Sequence, residues 1–406
     1  MNIASSTAIR ACTSCQMCGA VCSQSAITIK LDEDGFYRPF VESDRCIDCG
    51  LCVKVCNRFD AVIKDTDYRD LDRTKLYAAS ACDDAIVRQT TSGGIGDLLA
   101  KELIREGFKV VGVVYDSIQD CALHQVADTV EQTDAFRGSK YIQSYTVDAF
   151  RQVVTNAKKD KFAIFGLPCQ IYAVSRFLEG LHIRDRHLLV DLYCHGCPTM
   201  HAWKKVSQHI RKESGVGNFS NVRWRSKLRG WGTFVLEVEK DGKRIYNSTP
   251  KHNEFFNLFF CNQVLNESCI DCKLRSTLAY TDIRLGDYWG KLYCNTTRGM
   301  SGISICTERG ANLFEQLKSK MKFEEKSYDT FLPYQSWAHT YKVDAKLRSE
   351  LLTALKAPDE SIMDVGDILC ASQTMSDKIK IFVKQIIFNM PLTIANQLRK
   401  LYKNSL

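Results

Sequence analysis

Two stretches decide how this chain is read: Cys12-Thr13-Ser14-Cys15-Gln16-Met17-Cys18-Gly19-Ala20-Val21-Cys22 and Cys46-Ile47-Asp48-Cys49-Gly50-Leu51-Cys52-Val53-Lys54-Val55-Cys56. Both follow C-x2-C-x2-C-x3-C, the spacing of runs that hold paired [4Fe–4S] clusters, in which the fourth cysteine ligates the other cluster. Three thiols at i, i+3 and i+6 wrap one corner of a cubane within a tight loop. The fourth then arrives from a short helix behind the opposite loop. The expected assignment is Cys12, Cys15, Cys18 and Cys56 on one cluster, and Cys46, Cys49, Cys52 and Cys22 on the second. Structural zinc is the alternative, but it takes cysteines in separated C-x2-C pairs. A third cysteine at the same short spacing, present twice, argues for iron–sulfur. The Pro that often follows the fourth cysteine is Ser23 in one run and Asn57 in the other, which loosens a turn and removes no ligand. Between the runs, Ala26-Ile27-Thr28-Ile29 and Phe36-Tyr37-Arg38-Pro39-Phe40 read as a small hairpin turning at Asp34-Gly35.

Bulk properties fit that reading. A chain of 406 residues is long enough for two or three domains. Its apolar share of 45% and charged share of 25% are those of an ordinary soluble protein, which disfavours disorder and membrane-spanning classes. Nineteen cysteines is far above globular usage. A secreted disulfide framework is the first rival, yet Met1-Asn2-Ile3-Ala4-Ser5-Ser6 has no charged segment leading into an apolar one. An odd cysteine count also fits pairing badly. The expectation is a cytoplasmic protein whose reduced thiols hold metal.

Beyond the runs, the polar stretch Lys64-Asp65-Thr66-Asp67-Tyr68-Arg69-Asp70 reads as a linker into a second module. Thr90-Thr91-Ser92-Gly93-Gly94-Ile95-Gly96 leads into a helical pattern at Leu98, Leu99, Leu103 and Ile104, followed by a buried strand at Val110-Val111-Gly112-Val113-Val114. A Gly-rich loop at a helix N-terminus suits phosphate; a plain helix cap has the same look. Phe162-Ala163-Ile164-Phe165 is a strand that breaks at Gly166-Leu167-Pro168-Cys169. A helix follows from Gln170, with Ile171, Val174, Phe177 and Leu178 on one face. The strand His187–Tyr193 ends at Cys194-His195-Gly196-Cys197-Pro198. Strand, helix, strand is an α/β arrangement, and its ligand sites gather at the carboxyl ends of strands. Ser268-Cys269-Ile270-Asp271-Cys272 adds a C-x2-C pair. Cys169, Cys194, Cys269 and Cys272 are the four thiols a third cubane would need. Their bland readings are small buried hydrophobes or, for Cys169 at a helix start, a reactive thiolate. Trp224, Trp231 and the run Phe255-Phe256-Asn257-Leu258-Phe259-Phe260 read most simply as core.

Taken in order, these blocks resemble the coenzyme F420 hydrogenase/dehydrogenase beta-subunit family. The resemblance rests on both cysteine runs and on Thr91-Ser92-Gly93-Gly94, Arg137-Gly138-Ser139-Lys140-Tyr141-Ile142-Gln143-Ser144 and Gly166-Leu167-Pro168-Cys169-Gln170. It rests equally on Asp191-Leu192-Tyr193-Cys194-His195-Gly196, the Cys269/Cys272 pair and Leu285-Gly286-Asp287-Tyr288-Trp289-Gly290. It implies an α+β protein: a bacterial-type 2[4Fe–4S] ferredoxin domain (residues 1–66) fused to an α/β flavin-binding domain with a mixed sheet (67–155 and 156–340), and a basic helical tail (341–406). It implies FAD, with Ser92, Gly93, Gly94, Gly138, Ser139 and Lys140 on the cofactor and Pro168 and Gln170 near it. A third [4Fe–4S] cluster on Cys169, Cys194, Cys269 and Cys272 is implied as well. Leu167 stands where the family has Thr, and Cys197 where it has Val, so Cys197 rivals Cys194 as a ligand. His195 is a candidate proton donor to reduced flavin or a supporting hydrogen-bonder. Lys140 balances charge on the cofactor or is simply solvated. No catalytic residue is singled out.

The function so implied is an oxidoreductase passing electrons between clusters and a two-electron carrier or substrate, F420 among them, through FAD. Its partner is a redox protein or a small-molecule carrier. Family members near surface-polysaccharide genes suggest a role there. Two rivals remain: a relay subunit without a substrate site, and a redox sensor acting through Cys169 or Cys197.

Residues 375–406 carry Lys378, Lys380, Lys384, Arg399, Lys400 and Lys403 against Asp377, a net +5 of the chain's +8. The body is therefore near neutral and suggests no nucleic-acid partner. Ile379, Phe382, Val383, Ile386, Ile387, Met390, Ile394 and Leu398 recur at helical spacing, with Pro391 as a kink. Such a segment suits peripheral contact with an anionic membrane surface, and is too interrupted by charge to span one. The other reading is a helix docked on the body or on a partner subunit.

Overall fold

The two cysteine runs take up the same backbone path around one hairpin. In the computed structural model, which describes residues 1–4, 11–60, 63, 74–290, 296–337 and 340–404, strands β1 (Ile27–Leu31) and β2 (Tyr37–Val41) pair antiparallel, Ile27 opposite Val41. Short helices α1 (Met17–Val21) and α2 (Leu51–Lys54) carry the later cysteines of each run. Ser14 and Asp48, each two residues past a first cysteine, have φ of 59° and 50°. Gln16 and Gly50, each two residues further, have φ of 65° and 75°. Left-handed backbone at three non-glycine positions is costly and clusters at functional sites. Here it bends each loop so that its thiols point inward.

The body is built on a nine-stranded mixed sheet. Its strands are β3 (Lys75–Ala81), β4 (Lys109–Asp116), β5 (Cys121–Ala127), β6 (Ser144–Tyr145), β7 (Phe162–Phe165), β8 (Leu188–Leu192), β12 (Ile283–Asp287), β13 (Ser301–Ile305) and β14 (Met321–Lys326). They run in the order β14-β3-β13-β12-β8-β7-β4-β5-β6. The central four, β12, β8, β7 and β4, are parallel, so their carboxyl ends share one edge of the sheet. Between β8 and β12, β9 (Asn221–Ser226), β10 (Val235–Lys240) and β11 (Lys243–Asn247) form a separate antiparallel sheet. The mixed sheet and the hairpin agree with the sequence expectation. The proposed linker at residues 64–70 lies outside the described residues.

Helix α3 (Ile95–Arg105) buries Leu98, Leu99 and Leu103 against the sheet, and Gly107 ends its turn at φ 80°. Helix α4 (Pro168–Gly180) begins with proline at its first position, where the missing N–H costs nothing. Helix α5 (Met200–Ser214) packs Trp203 against Trp224 and Phe255 in a second core. Two helices end the chain, α6 (Met375–Asn389) and α7 (Leu392–Asn404), broken at Pro391 as its ring requires. Among the described residues no helix is long and apolar enough to cross a membrane.

The hairpin tip docks on the start of α5. Gly35, at φ 78°, accepts from Met200 N at 3.0 Å and from Gln143 Nε2 at 2.9 Å. A Cβ there would lie 2.5 Å from Thr199 Oγ1. Gly35→Ala is therefore expected to cost about 1–3 kcal/mol, read as a lower thermal midpoint together with faster proteolysis between the cysteine-rich module and the body.

Candidate metal centres and cofactor cleft

Cys12, Cys15, Cys18 and Cys56 line one pocket with Gln16, Ile29, Tyr37 and Val55. Burial, reinforced by the neighbouring thiolates, pushes Cys15 up to about 11 and Cys56 up to about 12, and raises Cys18 as well. Cys15 and Cys18 are buried and Cys12 and Cys56 partly covered; thiols gathered this closely are a donor set that a cationic cluster stabilises as thiolates. In the other set, Cys52 is buried, Cys22 and Cys46 are partly covered and Cys49 is exposed. Cys22 Sγ accepts from Ala26 N at 3.3 Å, and Cys46 Sγ from Asn2 Nδ2 at 3.5 Å. Among the described residues no three His, Cys, Asp or Glu side chains are placed to hold a single metal ion. A cubane spreads its thiolates around a whole cage and asks for wider spacing.

Five thiols meet where the parallel strands end. Cys169 stands second in α4, Cys194 and Cys197 follow β8, and Cys269 and Cys272 come from the turns before β12. Cys169 feels Cys194, Cys272 and Cys269 electrostatically, and it feels Cys15 of the first set too. Its sulfur lies 4.0 Å from the Thr13 carbonyl. Cys197 is hydrogen-bonded to Cys269, which raises Cys197 and brings Cys269 down to about 7. The expected quartet is thus brought together, and Cys197 is inside the group as its rival for Cys194 suggested.

Arg275 went unnoticed in the sequence. Its buried guanidinium donates to the carbonyls of Cys194 (3.2 Å), His195 (3.0 Å) and Cys269 (2.5 Å), and lies 4.4 Å from the Tyr341 ring. It ties two cysteine-bearing loops together. Behind it, Arg284 pairs with Asp191 at 2.5 and 2.8 Å, both buried, and donates to the Arg275 carbonyl at 3.0 Å. A lone Arg three residues past a cysteine carries no sequence signal.

Beside these thiols opens a cleft of about 420 Å³, and Cys194, His195 and Cys197 form part of its wall. Of the residues expected on the cofactor, Ser92, Gly94, Gly138, Ser139, Lys140 and Gln170 line it. Gly93 and Pro168 lie just outside the lining. A Cβ on Gly93 would meet the Ala79 carbonyl at 2.3 Å, so that glycine serves close packing between β3 and β13. Pro168 starts α4 and is buried. Ser139 N donates to Thr91 Oγ1 at 2.7 Å and joins the two loops. Gln170 bridges Leu167 N (2.8 Å) and Ser144 Oγ (3.3 Å).

Lys140 is half-buried and tied to its own loop. Its Nζ donates to the carbonyls of Ala135, Phe136 and Arg137, and desolvation lowers it to about 7. Lys227, also missed, donates to the Val87 and Ser92 carbonyls and pins the Thr90–Gly94 loop; burial takes it down to about 7. His195 binds Asn262 Oδ1 through Nε2 (2.8 Å) and the Tyr341 hydroxyl through Nδ1 (3.0 Å), the pattern of a supporting hydrogen-bonder. The Phe255–Phe260 helix splits its roles. Phe255 and Phe256 are core, whereas Phe259 and Phe260 reach the cleft. Trp289, stacked on Trp231 at 4.5 Å, completes an aromatic wall.

His124 faces the same cleft from β5. It is buried and approaches the Phe165 backbone, yet neither ring nitrogen makes a hydrogen bond of normal geometry. An orphaned buried imidazole is costly and fits a cleft built to hold a polar ligand.

A protein of iron–sulfur type is what this fold and these thiols define, and residues 11–59 match the 4Fe-4S dicluster domain. Residues 159–330 match the C-terminal domain of the coenzyme F420 hydrogenase/dehydrogenase beta subunit. A chain of the F420-reducing [NiFe] hydrogenase complex from Methanosarcina barkeri, solved as a xenon derivative, aligns at 17% identity. The alignment covers 72% of this chain and 89% of that one, with a TM-score of 0.45. No curated protein matches the chain.

Burial holds His124 and His187 down to about 4, against an ordinary 6.5. Between those values the unfolded chain binds protons that the folded chain does not. Stability is therefore full above about pH 6.5 and falls as pH drops toward 4. His124→Phe is expected to flatten the slope of thermal midpoint against pH in that window; an unaltered slope would show that the folded protein does not hold this ring neutral.

Proposed function

We propose that this chain is an iron–sulfur flavoprotein oxidoreductase, exchanging electrons between its clusters and a two-electron carrier through FAD bound in the cleft. The observation that carries the reading is the continuity of thiols and cleft. The exposed Cys49 set adjoins the buried Cys18 set, with Cys18, Cys22, Cys52 and Cys56 in one packed cluster. Cys15 neighbours Cys169, and Cys194 and Cys197 line the cleft. Electrons would enter or leave at the Cys46–Cys52 loop, where a redox partner protein can approach, and at the cleft, where a small carrier can.

In this reading Cys12, Cys15, Cys18 and Cys56 hold one cluster, and Cys46, Cys49, Cys52 and Cys22 the second. Cys169, Cys269, Cys272 and Cys194, or Cys197 in its place, hold a third. FAD, when bound, converts between electron pairs and single electrons. The chain's own contribution is placement. The N-terminus of α3 with Ser92 and Gly94 offers backbone donors to a diphosphate, and Gly138 and Ser139 close over it. Phe259, Phe260 and Trp289 exclude water from the ring end. His124 supplies a neutral imidazole to a polar edge of the cofactor. The deazaflavin for which the family is named is the first carrier to test. Residues 1–66 are the ferredoxin unit in this scheme, 67–155 and 156–340 the two parts of the flavin domain, and 341–406 the tail.

Iron, acid-labile sulfide and extracted flavin, measured per chain on protein purified without oxygen, decide it. About twelve irons with one FAD are expected. About eight irons and no flavin would overturn the flavoenzyme reading and leave an electron relay.

A further inference from the structure

We propose that the C-terminal helices seat this chain on an anionic lipid surface, with one face of α6 entering the boundary between headgroups and acyl chains. Met375, Ile379, Phe382, Val383 and Ile386 recur at helical spacing along α6 and are 72%, 55%, 66%, 37% and 43% exposed. Leu392 and Ile394 continue the exposed apolar surface beyond Pro391. The other side of α6 is fastened to the body. Phe388 is buried, with the Arg229 guanidinium 5.1 Å from its ring. Arg229 also donates to the carbonyls of Phe388 and Met390, and Gln385 Oε1 accepts from Lys251 N at 2.9 Å. The apolar stripe is therefore held outward by the docking of the opposite side.

Charge decides what covers the stripe. At 100° per residue, Lys378 and Lys380 fall on either side of it, and both are exposed. They are placed to reach lipid headgroups while the apolar side chains enter below them. Pairing this face with a second copy would bring like charges together. The one acid of the segment, Asp377, is already engaged by Thr374 and Lys380. The net +5 of residues 375–406 points the same way. Length excludes spanning: fifteen residues of helix cover about 22 Å, less than the hydrocarbon core, so α6 lies in the plane of the surface.

The test is flotation of the full-length protein, purified without oxygen, with phosphatidylcholine vesicles with or without phosphatidylglycerol. Co-flotation with the anionic vesicles alone is expected, weakening with salt. Lys378→Gln and Lys380→Gln should each weaken it roughly fivefold. The pair Ile379→Asp and Phe382→Asp should abolish it while thermal midpoint and iron content stay unchanged, since both side chains are exposed. Failure to float with anionic lipid overturns the proposal. So does equal binding to neutral vesicles, or a concentration-dependent dimer that the double variant dissolves.

Discussion

The first cysteine loop meets the body through buried hydrogen bonds, and the rest of the arrangement depends on them. Gln16 donates to the Ser144 carbonyl at 2.8 Å and accepts from Thr146 N at 2.9 Å. Thr146 Oγ1 returns a bond to the Cys15 carbonyl at 3.0 Å, and Asn266 donates to the Cys12 carbonyl at 3.1 Å. These bonds cross more than a hundred residues of sequence. They set how close Cys15 comes to Cys169, and electron transfer falls steeply with distance. A ferredoxin module on a free tether would lose that control.

Burial does two opposing things here. It raises the thiols, as at Cys15 and Cys56, and so makes them poor ligands until a cation is present. It also strengthens the fixed cations around them, because a guanidinium such as Arg275 acts at full strength where water is excluded. Arg275 in turn relies on Arg284 and Asp191, a buried pair whose bonds leave no charge uncompensated. The cysteine-rich end of the sheet is thus a polar network inside an apolar body, with hydrogen bonds rather than bulk packing fixing its geometry.

The cleft follows from topology. Parallel strands β7, β8 and β12 end on one edge, and the loops leaving them bring Gln170, Cys194 and Trp289 to a common opening. Lysines 140 and 227 are half-buried there and hold carbonyls of the loops that line it. Desolvation, not those bonds, lowers their basicity. Phe259 and Phe260 reach the opening only because their helix ends at its rim.

How much was legible in the residues depends on range. Thiols at i, i+3 and i+6 are placed by one turn of backbone, so both cysteine runs, and the hairpin between them, could be read from spacing alone. The strands at 162–165 and 188–192 were legible for the same reason, as short apolar runs closed by Gly and Pro. Cys169, Cys194, Cys269 and Cys272 come from four separate segments, and only the sheet brings them to one point. Arg275, Lys227 and His124 gave no signal, because their roles lie in carbonyls and cavities that distant segments supply. The tail shows the same division: its periodicity declared an amphipathic helix, while which side would meet the body was decided by Arg229 and Lys251. Sequence determines what a single turn of chain can hold; tertiary structure decides which turns meet, because that is set by the burial of remote surfaces.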